Sequence, residues 1–136
     1  MNPQELRVCN LVLINNPKER PDDVGKIAIV LAINSLKSFQ ELRGSATIKR
    51  IDDKWGDTYS QWLKHLQPIP ITEEWLLKFG FELDSCSKYF ERWRKDVVYI
   101  EKINGNYHHD YVAVGAVHTL QNLYFALTGE EISFEL

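Results

Sequence analysis

Val97-Val98-Tyr99-Ile100-Glu101-Lys102-Ile103-Asn104-Gly105-Asn106-Tyr107 is the stretch on which the fold turns. Its first seven residues are mostly β-branched, aromatic or alternating. Asn104-Gly105 is the dipeptide best suited to a type I′ turn, because both central residues of that turn need φ > 0. A strand therefore runs into a tight hairpin, and Asn106 to Val114 is the expected returning strand. A two-residue hairpin joins antiparallel neighbours, so the sheet is expected to be antiparallel. Just upstream, Phe81 to Leu83 and Lys88 to Arg94 alternate weakly and extend it.

Helices flank this sheet in the sequence. Thr72 reads as an N-cap, with Glu73 and Glu74 in the first turn where carboxylates meet the positive helix end. Trp75, Leu76 and Phe79 form the apolar face, and Gly80 is the natural stop. Beyond the hairpin, Gly115 precedes a helix whose stripe is Val117, Leu120, Leu123, Tyr124 and Leu127, ended by Gly129. Ile132-Ser133-Phe134 reads as a short closing strand, and Pro68-Ile69-Pro70 as extended chain.

The N-terminal half continues the β pattern. Leu6 to Ile14 is a β-rich run ended by Asn15-Asn16-Pro17, and Lys18 to Asp23 is a polar loop. Lys26 to Ile33 is apolar on both faces, as a central strand is. Leu36 to Leu42 fits either a short helix or continued strand, and Thr47 to Ile51 looks like a further strand. Tyr59, Trp62, Leu63 and Leu66 fall at helical spacing, so a short helix capped by Asp57 or Thr58 is expected before Pro68.

The chain has 136 residues, with 44% hydrophobic and 26% charged, a composition that excludes disordered and fibrous classes. One domain over residues 1–136 is the expectation. No apolar run approaches a membrane span, and Met1 to Glu5 has no basic start followed by an apolar core, so a cytoplasmic setting is expected. Cys9 and Cys86 sit among apolar or aromatic neighbours and read as buried reduced thiols. The net charge of −3 supplies no global attraction to nucleic acid or anionic lipid.

Two segments, Pro68-Ile69-Pro70-Ile71-Thr72-Glu73-Glu74-Trp75-Leu76-Leu77-Lys78-Phe79-Gly80-Phe81 and Val117 to Glu131, resemble a family of small uncharacterised proteins of phages and prophages of Bacteroidetes. Leu6-Arg7-Val8-Cys9-Asn10 is similar to that family's opening, with Cys9 where glycine is usual, and Thr119 replaces the common glutamine. The resemblance covers about a quarter of the chain, whereas the region from Asn16 to Leu66 is individual. It implies a phage or mobile-element setting and designates no catalytic residue. Each segment also reads as a capped amphipathic helix kept for folding.

Tyr107-His108-His109-Asp110 is the most reactive-looking stretch, but on a strand His108 and Asp110 share one face while His109 takes the other, a poor geometry for one metal. His118 reads as a surface or packing residue, and His65 as a cation at a helix end. Cys86 lacks a visible activating partner, and the sequence supplies no nucleophile elbow or phosphate-cradling glycine loop. Lys88-Tyr89-Phe90-Glu91-Arg92-Trp93-Arg94-Lys95 differs in concentrating cations and aromatics. It fits phosphate contact with base stacking, or an edge strand protected by its charges. Lys49, Arg50 and Lys54 extend it, against Asp52, Asp53 and Asp57.

These features predict an α+β domain: an antiparallel sheet, open or barrel-like, from the N-terminal strands and the C-terminal hairpin, with two or three helices on one side. Val12, Ile29, Leu31, Trp75, Leu76, Phe79, Leu120, Leu123 and Leu127 are the expected core. The expected function is that of a non-enzymatic phage accessory protein that binds a host macromolecule. An inhibitor of a bacterial defence nuclease fits best, with RNA-targeting CRISPR effectors, or their RNA complexes, slightly preferred as partners. Arg43, Arg50, Trp55, Lys88, Arg92, Trp93, Arg94 and Lys95 are the expected partner-binding residues, since arginine and tryptophan dominate interface hot spots. No cofactor, metal or membrane partner is expected. The alternative is a nucleic-acid-binding module using the Lys88 to Lys95 strand, and an enzyme would need His108, Asp110 or His118 joined to a distant partner.

Overall fold

Five short strands carry the N-terminal half in a computed structural model that describes residues 6–35, 44–53 and 56–135. They are β1 (Leu11–Ile14), β2 (Ile27–Ser35), β3 (Gly44–Arg50), β4 (Tyr59–Trp62) and β5 (Leu66–Gln67). All pair antiparallel, in the order β4-β3-β2-β1-β5. Alternation decides what they bury: on β3 the side of Ala46 and Ile48 is buried while Ser45, Thr47 and Lys49 are partly open. Val12, Ile14, Ala28, Val30, Ala46 and Ile48 pack with Leu6, Leu63 and Leu66 into one apolar cluster.

The second half begins with α1 (Glu73–Lys78), followed by β6 (Glu82–Cys86), β7 (Phe90–Lys95), β8 (Val98–Ile103), β9 (Asn106–His109), β10 (Val112–Ala113) and α2 (Val117–Thr128). Its strands form a separate antiparallel sheet in the order β10-β9-β8-β7-β6. Asn104 and Gly105 both have positive φ, 52° and 80°, as the hairpin reading requires. The Thr72 hydroxyl accepts the Trp75 N–H, satisfying one of the four orphan donors of α1. At the other end, Phe81 N–H donates to Leu76 O and Gly80 N–H to Leu77 O, both at 2.9 Å, with Gly80 at φ 82°. That is the paired bonding of a Schellman stop, and the two residues it brings together, Leu76 and Phe81, are both buried.

The fold is thus α+β and mostly antiparallel sheet. One domain was expected over residues 1–136, and within that span the chain gathers into two compact units, Met1–Ile69 and Pro70–Leu136. Several finer expectations are corrected. The N-terminal strands and the C-terminal hairpin form two sheets instead of one, neither closes into a barrel, and among the described residues there are two α-helices, both in the second unit. Tyr59 to Leu66 is strand, a 3-10 turn at Leu63–His65 and strand again. So short a segment ahead of Pro68 barely offsets the cost of helix nucleation, whereas pairing with β3 satisfies its backbone directly.

Leu6 to Asn10 turns before β1 begins. Arg7 N–H donates to Asn10 Oδ1 at 2.6 Å, Asn10 N–H to Arg7 O at 3.1 Å, and Cys9 takes φ 73°. Asn106 to Val114 doubles back at Asp110, so β10 pairs with β9. Ile132 is buried but belongs to no strand. The ambiguous segment Leu36 to Leu42 lies outside the described residues.

In the expected core, Val12, Trp75, Leu76, Phe79 and Leu120 are buried. Ile29 and Leu123 are only partly so, while Leu31 and Leu127 are exposed. β2 is central as expected, yet its second face is open, and a register shift between Val30 and Ala32 interrupts the alternation. Cys86 is exposed on β6, contrary to the buried-thiol reading, Cys9 is only partly buried, and among the described residues the two are not joined in a disulfide.

Candidate functional site

The expected partner-binding residues fall into both units. Arg43 and Trp55 lie outside the described residues, Arg50 belongs to the first unit, and Lys88 to Lys95 to the second.

Around Arg50 the first unit builds a polar cluster. Pro21 starts a 3-10 turn that carries Asp23 into the structure, with its side chain only 9% exposed. Asp23 accepts Arg50 Nη1 at 2.8 Å and the Tyr59 hydroxyl at 3.1 Å. The Arg20 guanidinium approaches the same carboxylate at 3.5 Å and lies 3.5 Å from the Tyr59 ring centroid. Arg50 Nε and Nη2 donate in parallel to Asp52, each at 2.9 Å. These bonds hold the Arg50 guanidinium above its ordinary pKa and the Asp52 carboxyl below its own, with desolvation opposing both shifts. Burial, then the Asp23 hydrogen bond, pushes the Tyr59 phenol up to about 12. A cavity of about 400 Å³ opens beside the cluster, lined by Arg20, Asp23, Arg50, Asp53, Asp57 and Tyr59 among others. With three of its N–H groups engaged, Arg50 is held in place by its carboxylates. Sequence reasoning named Arg50 but missed Asp23 and Tyr59; Asp23 lies 27 residues from Arg50 and 36 from Tyr59, so no local spacing announces the cluster.

In the second unit β7 is flanked by β6 and β8, so the edge-strand reading of Lys88 to Lys95 is corrected. Trp93 is 3% exposed and faces the interior, which removes it from any contact surface. Lys95 Nζ donates to Phe79 O at 2.5 Å, placing a cation at the C-terminal end of α1, where the helix dipole favours it. It also lies 5.6 Å from the Tyr124 ring centroid, so its role is structural.

Arg92, Arg94 and Phe90 share the other face of β7, as alternation predicts. Register sets Arg92 across from Glu101 and Glu101 across from His108. Arg92 Nη2 donates to Glu101 at 2.9 Å, and its Nε is buried without a partner among the described residues. The Nε–Nη2 edge that would grip a phosphate bidentately is therefore occupied on one side and covered on the other. In the next row, the Tyr99 hydroxyl donates to Asp110, which pushes the Tyr99 phenol up. His109 lies against the Tyr99 ring with centroids 4.8 Å apart, and its Nδ1 bonds Tyr99 O at 2.8 Å. His118 is buried in α2. Among the described residues, no three His, Cys, Asp and Glu side chains come together to hold a metal, and no helix is long and apolar enough to cross a membrane.

Among the expected binding residues that the structure describes, Lys88 and Arg94 stay open on the β6–β7 hairpin. Lys88 and Tyr89 stand at its tip, with Tyr89 76% exposed, and every residue of β6 is exposed. Arg94 meets Asp84 at 3.5 Å with both side chains nearly half open. The charges divide unevenly between the units: residues 70–136 carry eleven Asp and Glu against six Lys and Arg, a formal −5, whereas residues 1–69 carry eight against ten, a formal +2. No family model, curated protein or solved structure matches the chain.

Proposed function

We propose that the protein is a non-enzymatic phage accessory protein that binds a host protein and inhibits a bacterial defence nuclease, with RNA-targeting CRISPR effectors the first class to assay. The observation that supports this best is the −5 charge of residues 70–136 combined with the exposed Tyr89 and Arg94. Nucleases that hold a guide or target strand line the channel with cations. An acidic unit is drawn to such a channel by its field and anchored by an aromatic and an arginine, the side chains that dominate hot spots. The phage resemblance of the two helical segments points to the same setting.

The test is a guide-loaded RNA-cleaving effector assayed on a fluorescent target RNA with increasing amounts of the protein, alongside co-purification from host lysate. Stoichiometric loss of cleavage supports the reading. Unchanged cleavage together with recovery of no host protein at micromolar bait refutes it.

The nucleic-acid module is the second reading, favoured by Lys88, Tyr89 and Arg94 standing on one hairpin. The surrounding carboxylates oppose it, since Glu101 and Asp84 already neutralise Arg92 and Arg94. A mobility shift with single-stranded RNA at low salt, weakening with salt by about 0.7 logarithmic units per phosphate contacted, would favour it over the protein partner.

A further inference from the structure

A sheet edge offers a row of backbone donors and acceptors to any extended chain, and its side chains decide which chain is accepted. β6 is such an edge, with β7 on one side and, among the described residues, no strand on the other. Its sequence Glu82-Leu83-Asp84-Ser85-Cys86 holds two carboxylates and no cation, and all five residues are exposed. Beside it lies a cavity of about 250 Å³ lined by Glu82, Leu83, Asp84, Arg94 and Asp96. Three carboxylates there face one arginine. Asp84 meets that arginine at 3.5 Å and Asp96 accepts the Tyr124 hydroxyl at 2.9 Å. The Glu82 side chain makes no hydrogen bond or ion pair among the described residues. Leu83 is 48% exposed and supplies an apolar wall.

From this edge and cavity we infer that β6 accepts an extended, cationic segment of a partner protein by strand addition, with a lysine or arginine side chain entering the Glu82–Asp84–Asp96 cavity. The aliphatic stem of that side chain would lie on Leu83 and its charged head among the carboxylates, the division of labour long cations adopt. A second copy of this chain does not fit. Antiparallel self-pairing of the five-residue strand sets Asp84 against its own copy, and like charges directly opposite destabilise a ladder. The acidic side chains that repel a copy are the ones that select a chain of opposite sign. Nucleic acid is rejected on the same ground.

This inference rests on the reading of the protein as a binder of host proteins and names the edge and the chemistry it uses. The probe is a capped short peptide alternating valine and lysine, compared with its glutamate counterpart and with a counterpart in which proline replaces valine at unchanged charge. Amide hydrogen exchange across the full chain is the readout. The lysine peptide is expected to slow exchange within Glu82–Cys86 by about tenfold, and neither comparison peptide is expected to do so. Asp84→Lys, with its thermal midpoint unchanged, should abolish the protection, and Glu82→Lys serves if that variant unfolds. Equal protection by the proline peptide reduces the effect to charge alone and overturns strand addition, as does protection confined to residues outside β6. A negative peptide result with host-protein capture intact sinks this edge and leaves the proposed function standing. Failed capture with β6 protected by the lysine peptide sinks the function and leaves the edge.

Discussion

Removing the charge of Asp23 is the sharpest test of the first unit. Asp23→Asn keeps the volume of a side chain that is 9% exposed but takes away the anion that accepts Arg50 at 2.8 Å and Tyr59 at 3.1 Å. Hydrogen bonds to a charged group contribute about 1.5–3 kcal/mol each. The Arg20 contact adds little, because that side chain is 41% exposed and 3.5 Å away. Arg50 is not stranded by the change, since Asp52 still accepts two of its N–H groups. Neighbouring bonds are not additive, so the expected loss is about 2–4 kcal/mol, or roughly 10 °C in midpoint for a chain of this size. Urea and thermal unfolding followed by tryptophan fluorescence measure it. A double-mutant cycle with Tyr59→Phe should return a coupling of about 1 kcal/mol between the two side chains. A loss under about 1 kcal/mol would show that the Pro21–Asp23 turn is held by something other than this carboxylate.

Raising pH probes the same cluster from the tyrosine side. The Tyr59 phenol is held at about 12 against an ordinary 10, so its contribution is complete below pH 10 and fades as pH climbs from 10 to 12. Discounted for partial exposure, that is roughly 1 kcal/mol, read as the difference between the alkaline unfolding curves of the parent and Tyr59→Phe. Cys9→Gly should stabilise by about 1 kcal/mol in urea titrations, because φ 73° strains a residue with a Cβ and suits glycine; a destabilised variant would mean that the thiol's packing outweighs the strain. Leu120→Ala should cost about 2–5 kcal/mol, and Leu127→Ala well under about 1 kcal/mol, since the first is fully buried and the second 46% exposed; equal costs would refute the assigned facing of α2.

Local chemistry was legible in the sequence wherever the deciding interactions lie within a few residues. Thr72 announces α1 and Gly80 ends it because cap and stop are made by neighbours, and Asn104-Gly105 dictates its hairpin because positive φ is a property of the turn itself. Cys9 takes a left-handed backbone, φ 73°, within a four-residue turn closed between Arg7 and Asn10, a feature equally local but with no residue-type signal to announce it. Helical spacing from Tyr59 to Leu66 misled because periodicity records which residues want burial, while β3, ten or more residues upstream in the chain, decides that a strand is what gets paired.

The candidate sites divide in the same way. Alternation on β7 correctly put Arg92 with Arg94 and Trp93 on the opposite side, yet which side was interior depended on what the sheet packs against. Trp93 became core and Lys95 a helix-end tether for that reason. Asp23, Tyr59 and Arg50 meet only when three separate segments are brought together, and the free edge of β6 exists only because strand order leaves it last. By itself the sequence determined turns, caps and the antiparallel class, since these are short-range consequences of backbone geometry. Tertiary structure decided burial, strand order and the charge partners of each arginine, because those depend on long-range pairings that no local window contains.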